Sequence, residues 1–201
     1  MEQRRKAAMQ ERERLLVMEL IQKAIDLAAK AHKNQVRKGT NLPYISHPYG
    51  VGMMLMQAQC EPEIVAAGIL HDTLEDTEVT EEDLLETFGQ TVTDIVIGCS
   101  EPDKSKSWEE RKSHTIAFLK TASLPIRMVS CADKIHNIRS TRAAIEAEGE
   151  KAWQRFKRGR DKQEWYHRSI IESIGYQSTF PLLEVLIQEV NGLYGERNKG
   201  E

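Results

Sequence analysis

The segment His71-Asp72-Thr73-Leu74-Glu75-Asp76-Thr77 places an imidazole and three carboxylates within six residues, at the end of an apolar run. Residues three and four apart share a helix face, so on one continuous helix Glu75 lies beneath both His71 and Asp72, and Asp76 beneath Asp72. All four could then line one pocket. The preceding stretch from Ile64 to Leu70 is apolar nearly all round, which predicts a buried helix delivering the cluster from inside the fold. Carboxylates in such a place need a cation or strong donors, because unpaired buried charge is costly. The His-Asp pair alone also fits an ordinary solvated acidic terminus, so the argument turns on further ligands elsewhere in the chain.

Two residues supply them. His47 lies between Tyr44-Ile45-Ser46 and Pro48, at a helix N-terminus beside a loop, where it could be a ligand or a hydrogen-bonded surface histidine. Asp133 is a carboxylate embedded in the apolar stretch Met128 to Asn137. A metal would satisfy it, and so would Lys134 or Arg139; Asn137, four residues on, shares its face.

Together, His47, His71-Asp72 and Asp133 resemble the H…HD…D pattern of the HD phosphohydrolase superfamily. More narrowly, Arg37-Lys38, the run from Pro43 to Pro48, the run from His71 to Thr77, and the run from Ala132 to Arg139 resemble the hydrolase domain of Rel/Spo-type alarmone enzymes. The match extends from about His32 to Thr141. It implies one divalent metal, usually manganese, held by His47, His71, Asp72 and Asp133; iron, cobalt or zinc would also suit mixed imidazole and carboxylate ligation. It further implies removal of the 3′-pyrophosphate from guanosine tetra- or pentaphosphate, giving the di- or triphosphate and pyrophosphate. Glu75 and Asp76 match the family's acidic catalytic pair. Arg37 and Lys38 match its nucleotide contacts, and Asn137 and Ser140 its polar ligands of sugar and phosphates.

The sequence departs from that pattern at Gly39-Thr40-Asn41-Leu42, which leaves the base open. An adenosine alarmone, a nicotinamide dinucleotide phosphate or another phosphoester is the alternative substrate. Ser140 stands where threonine is commoner. A third reading is a catalytically silent nucleotide sensor, with the charged helix Glu2 to Arg14 packed on a partner subunit. The basic, aromatic segment from Trp153 to Arg168 could fold over the cleft and bind distal phosphates, or could simply close the core.

These residues must be held by helices, since helical spacing recurs along the whole chain. Leu20, Ile21, Ala24, Ile25 and Ala28 mark one helix, extended outward by the charged segment before them. Residues 37–43 form a loop; Pro48 opens a helix to about Gln59, and Pro62 opens the next. Thr80 to Asp83 reads as a capping box for a helix stopping near Phe88-Gly89, followed by another over 91–99. Ser107 with Glu110 caps a helix over 109–120, and Pro125 starts one kept in period as far as Ile138. Closing helices fall over 163–174 and 182–193. No strand alternation is long enough to trust, so the expected fold is all-α: a single compact helical HD domain over 1–201, with the motif core at about 32–141 and the helices of 142–201 closing it.

With 40% hydrophobic and 29% charged residues in 201, the chain can bury a sizeable core. Its net charge of −3 argues against nucleic-acid partners, so the expected partner is a small nucleotide, and homo-oligomers remain open. Cys60, Cys99 and Cys131 are widely spaced, with no CxxC pair; buried reduced thiols in a cytoplasmic protein are expected. No apolar run spans a bilayer, and the charged N-terminus contains no signal-peptide core. A chain of this length leaves no room for a synthetase domain, so a stand-alone hydrolase is expected.

Overall fold

A computed structural model describes residues 1–101 and 103–196. The described residues form nine α-helices: α1 (Glu2–Ala31), α2 (Ser46–Gln57), α3 (Pro62–Leu70), α4 (Thr73–Asp76), α5 (Glu81–Cys99), α6 (Trp108–Leu119), α7 (Leu124–Glu148), α8 (Gly159–Ile174) and α9 (Pro181–Tyr194). A 3₁₀ turn over Gly149–Arg155 links α7 to α8. Among them there is no strand, only an isolated bridge between Val36 and Pro43 that closes the loop before α2. The all-α expectation holds, and among the described residues no helix is long and apolar enough to cross a membrane.

α3 is the hub. It packs against α1, α2, α5 and α7, and every residue from Ile64 to Leu70 is buried. Nine residues are too few for a helix to persist alone in water. Burying Val, Ile and Leu side chains at about 1.5–3 kcal/mol each outweighs that deficit, so tertiary packing holds α3 in shape. Its approach to α2 is close enough that a Cβ on Gly68 would stand 2.2 Å from Leu55 Cδ1, and one on Gly52 would stand 2.4 Å from Ile69 Cγ1. These glycines let α2 bring His47 up to the end of α3.

The boundaries follow local chemistry. Thr80 and Asp83 form the expected capping box, and so do Ser107 and Glu110. The stop anticipated at Phe88-Gly89 is a kink within α5, where Gly89 takes φ 77° and ψ 176°, a region almost closed to other residues. α7 runs ten residues beyond Ile138. Those residues are rich in alanine and glutamate, good helix formers that leave no apolar period to read. α8 begins at Gly159, four residues before the expected start.

One expectation is corrected. The segment from Ile64 to Asp76 is not one helix. α3 stops at Leu70 because the His71 side chain takes the Gly68 carbonyl (Nδ1···O 2.8 Å) and the Thr73 hydroxyl donates to the Leu70 carbonyl (2.7 Å). Side-chain capture of these carbonyls competes with helix continuation, and the chain turns through His71-Asp72 into the short α4.

Candidate functional site

The turn between α3 and α4 meets the first turn of α2 and the middle of α7. His71 and Asp72 come from the turn, His47 from α2 and Asp133 from α7. His47 Nε2 lies 3.2 Å from Asp133 Oδ1 and 3.5 Å from Asp72 Oδ2. His71 Nε2 lies 3.2 Å from Asp72 Oδ2 and 3.8 Å from Asp133 Oδ1. The ligating atoms of His47, His71 and Asp133 all fall within 4.8 Å of one another. His47 is 1% exposed, which removes the surface-histidine reading.

The donor set fits a divalent cation. Because a carbonyl only accepts, His71 Nδ1 carries the proton it shares with Gly68, and in the neutral ring Nε2 is then a bare lone pair. That atom is buried, has no hydrogen-bond partner, and faces a carboxylate oxygen. Two acceptors pointed at each other in a dry place need positive charge between them. Bonds of about 2.1 Å to one ion would set neighbouring donors about 3.0–3.4 Å apart, close to the separations seen.

Outer contacts orient these groups. Tyr44 Oη donates to Asp72 Oδ2 (2.7 Å), and burial with the Asp72 charge pushes the phenol far up, so it stays protonated. Asn137 Nδ2 donates to Asp133 Oδ1 (2.5 Å), while Arg37 donates to Asn137 Oδ1 (2.9 Å). Lys134 reaches Asp133 Oδ2 at 2.5 Å. Burial opposes the charges of both, yet Lys134 holds the Asp133 carboxyl well below its usual range, and Asp133 in turn keeps Lys134 an ammonium. Of the two cations expected as alternatives for Asp133, only Lys134 arrives; Arg139 pairs with Glu189.

Glu75 and Asp76 diverge. Glu75 lines the cavity at the cluster, accepts from the Glu101 backbone N–H (3.2 Å), and has its carboxyl raised chiefly by burial. Asp76 turns outward and meets Lys104 at 2.7 Å; that lysine also donates to the Glu75 carbonyl. The face shared by all four acceptors on a single helix is therefore not formed, and the break at His71-Asp72 is the cause.

Two cavities adjoin. One of 230 Å³ contains the cluster, with Arg111, Lys112, Lys134 and Arg37 among its walls. The other, of 820 Å³, shares Arg37, Tyr44, Lys112, Lys134, Asn137 and Tyr166 with it and continues along α7 past Ser140 to Ala147. Lys38 and Ser140 line this second cavity, as do Ala152, Arg155, Phe156 and His167. The segment from Trp153 to Arg168 contributes both to the packed interior and to the cleft: Trp153, Tyr166 and His167 are buried, and Arg155 and Phe156 border the cleft. Lys38 donates to the Arg155 carbonyl, clasping the loop to this segment.

Tyr44, Arg111, Lys112 and His136 stand at the site although the motif reading gave them no role. His136 Nδ1 lies 3.0 Å from His47 Nδ1. It follows Asp133 by three residues on one helix, so its face was readable. Arg111 and Lys112, both bound to Glu101, come from α6 and carry no local signal. Of the thiols, Cys131 is buried, whereas Cys60 and Cys99 are only partly so. Cys99 lines the smaller cavity with its thiol pushed up to about 12 by burial, a neutral bystander.

The chain resembles several known proteins over this region. It is 37% identical over 125 residues to a GTP pyrophosphokinase of Streptomyces coelicolor, covering 61% of this chain and 15% of that one. It is 37% identical to the guanosine-3′,5′-bis(diphosphate) 3′-pyrophosphohydrolase of Haemophilus influenzae (57% of this chain, 17% of that) and 38% identical to the pyrophosphohydrolase MESH1 of Danio rerio (57% and 65%). It therefore spans less than two thirds of each of these relatives. A crystal structure from Listeria monocytogenes matches with TM-score 0.70 and 38% identity, over 75% of this chain and 99% of that one. A metazoan SpoT ortholog described as hydrolysing ppGpp matches with TM-score 0.74 and 25% identity, over 88% and 96%. The HD domain model matches residues 24–161, a span that contains the histidines, the aspartates and the helices that hold them, and on that ground the chain belongs to the HD domain family.

Proposed function

We propose that this protein is a metal-dependent hydrolase that removes the 3′-pyrophosphate of guanosine tetra- and pentaphosphate. The observation that carries this reading is the bare, buried His71 Nε2 facing Asp72 and Asp133 at the mouth of a cation-lined cleft. His47, His71, Asp72 and Asp133 would hold the ion, for which manganese is our choice. When bound, such an ion lowers the pKa of a coordinated water and neutralises phosphate charge.

The remaining work falls to this chain's own groups. Glu75, kept protonatable by burial, takes the proton of the attacking water. Asp76, tied to Lys104, anchors the short helix that carries Glu75. Arg111, Lys112 and Lys134 offset the charge of the pyrophosphate, with Glu101 occupying the first two until substrate arrives. Arg37, Lys38, Asn137 and Ser140 line the way to the larger cavity, where ribose and base would lie. The relatives named for 3′-pyrophosphohydrolase activity support the choice of substrate.

Manganese-loaded protein should release pyrophosphate from guanosine tetraphosphate, and Asp72→Ala should abolish the release. No turnover with any divalent metal would refute the reading. Comparing kcat/KM for guanosine and adenosine tetraphosphates measures base choice directly.

A further inference from the structure

We infer that His136 is a positioning residue for the metal centre, fixing the tautomer and ring orientation of His47 through the Nδ1···Nδ1 hydrogen bond. The inference rests on the metal centre proposed above.

Two imidazole nitrogens 3.0 Å apart can bond only when one carries a proton and the other does not. His47 Nε2 points at Asp133 and Asp72 and must be bare to act as a ligand, so its single proton sits on Nδ1. His136 Nδ1 is then the acceptor, and its own proton resides on Nε2. A metal-bound histidine commonly gives its second N–H to a carboxylate, carbonyl or water. Here the acceptor is another imidazole, packed on two sides and open to the cleft on a third. The His136 ring meets His47 edge-to-face, at 64° with centroids 4.7 Å apart. On the α2 side it presses on Gly50, where a Cβ would stand 2.6 Å from both Cδ2 and Nε2. On the third side it forms part of the wall of the larger cavity. His136 thus touches both a metal-site histidine and the cleft.

Its position on α7 adds a consequence. Asp133 and His136 share one helix face, so a single rigid element sets both a carboxylate of the cluster and the acceptor that aims a histidine of the cluster. Gly50 matters for the same reason: only a residue without a side chain leaves the ring its place.

The test is titration of metal-free protein with cobalt chloride, read by visible absorption and by dissociation constant. His136→Phe keeps a ring but offers no acceptor, and should weaken cobalt binding about ten- to a hundredfold and alter the absorption band. His136→Asn places Oδ1 where Nδ1 stood and should restore binding to within about threefold of the original. Equal weakening by both variants, or unchanged binding by His136→Phe, would overturn the role of His136. If His136→Phe fails to fold, Gly50→Ala, which displaces the ring without altering its chemistry, should weaken cobalt binding in its place; an unchanged constant there overturns the role. Absence of cobalt binding by the unaltered protein overturns the metal centre itself, a distinct result.

Discussion

Two imidazoles and two carboxylates cannot share a few ångströms of buried space unless positive charge lies among them, and this requirement organises the site residue by residue. His71 gives its proton to Gly68 and turns Nε2 to the centre, Asp72 Oδ2 accepts from Tyr44 and Asp133 Oδ1 from Asn137 while both oxygens also face the histidines, and Lys134 takes Asp133 Oδ2. Glu75 stands apart from this set, half-buried and with a raised carboxyl. Replacing it with Gln should lower kcat by roughly 10²- to 10⁴-fold, the usual contribution of a positioned base, while metal content stays as it was. Inductively coupled plasma analysis beside the rate assay checks both halves. The residues of the cluster were readable from the sequence because each lies in a recognisable motif. The divergence of Asp76 was not, because helical spacing says nothing about two side chains capturing the carbonyls that would have continued the helix. Arg111 and Lys112 were equally hidden, since an exposed-looking pair on α6 becomes part of a cavity only through tertiary packing.

Helix ends that are written in side-chain chemistry were placed well. Thr80 with Asp83 and Ser107 with Glu110 satisfy orphan backbone groups locally, so their sequence spacing carries the structure with it. α7 past Ile138 was missed because its alanines supply propensity without periodicity. Those alanines have a use: Ala143, Ala144 and Ala147 keep one wall of the larger cavity shallow. Gly89 governs the bend of α5. No atom lies within 4 Å of a Cβ placed there, so Gly89→Ala would lose only through backbone strain, about 1–3 kcal/mol. For a chain of this size that corresponds to a melting temperature lower by about 2–10 °C, measurable by calorimetry. An unchanged melting temperature would mean that the bend relaxes freely and does not fix the angle between the two parts of α5.

At the scale of the molecule, a helical shell around α3 supports a centre assembled from α2, α7 and the turn between α3 and α4, and the 3₁₀ turn and α8 help wall its cleft. His167 on α8 belongs to that wall: 8% exposed, 2.9 Å from the Tyr194 hydroxyl, its imidazole pushed down to about 3 by burial. A histidine with a depressed folded pKa contributes fully above its unfolded value, about 6.5, and less as pH falls, because the unfolded chain takes up the proton first. Between pH 7.5 and pH 5 the metal-free protein should lose about 2 kcal/mol on this account, and His167→Gln should remove that share of the loss in denaturant titrations at the two pH values. The N-terminal part of α1 projects from the shell, with Leu15, Leu16 and Met18 more than half exposed. The most direct test of the central claim follows the oxygen of water. Manganese-loaded protein turning over guanosine tetraphosphate in ¹⁸O-water should yield guanosine diphosphate and pyrophosphate, with one ¹⁸O carried by the pyrophosphate. Release of inorganic phosphate, label in the nucleotide, or no turnover at all would contradict it.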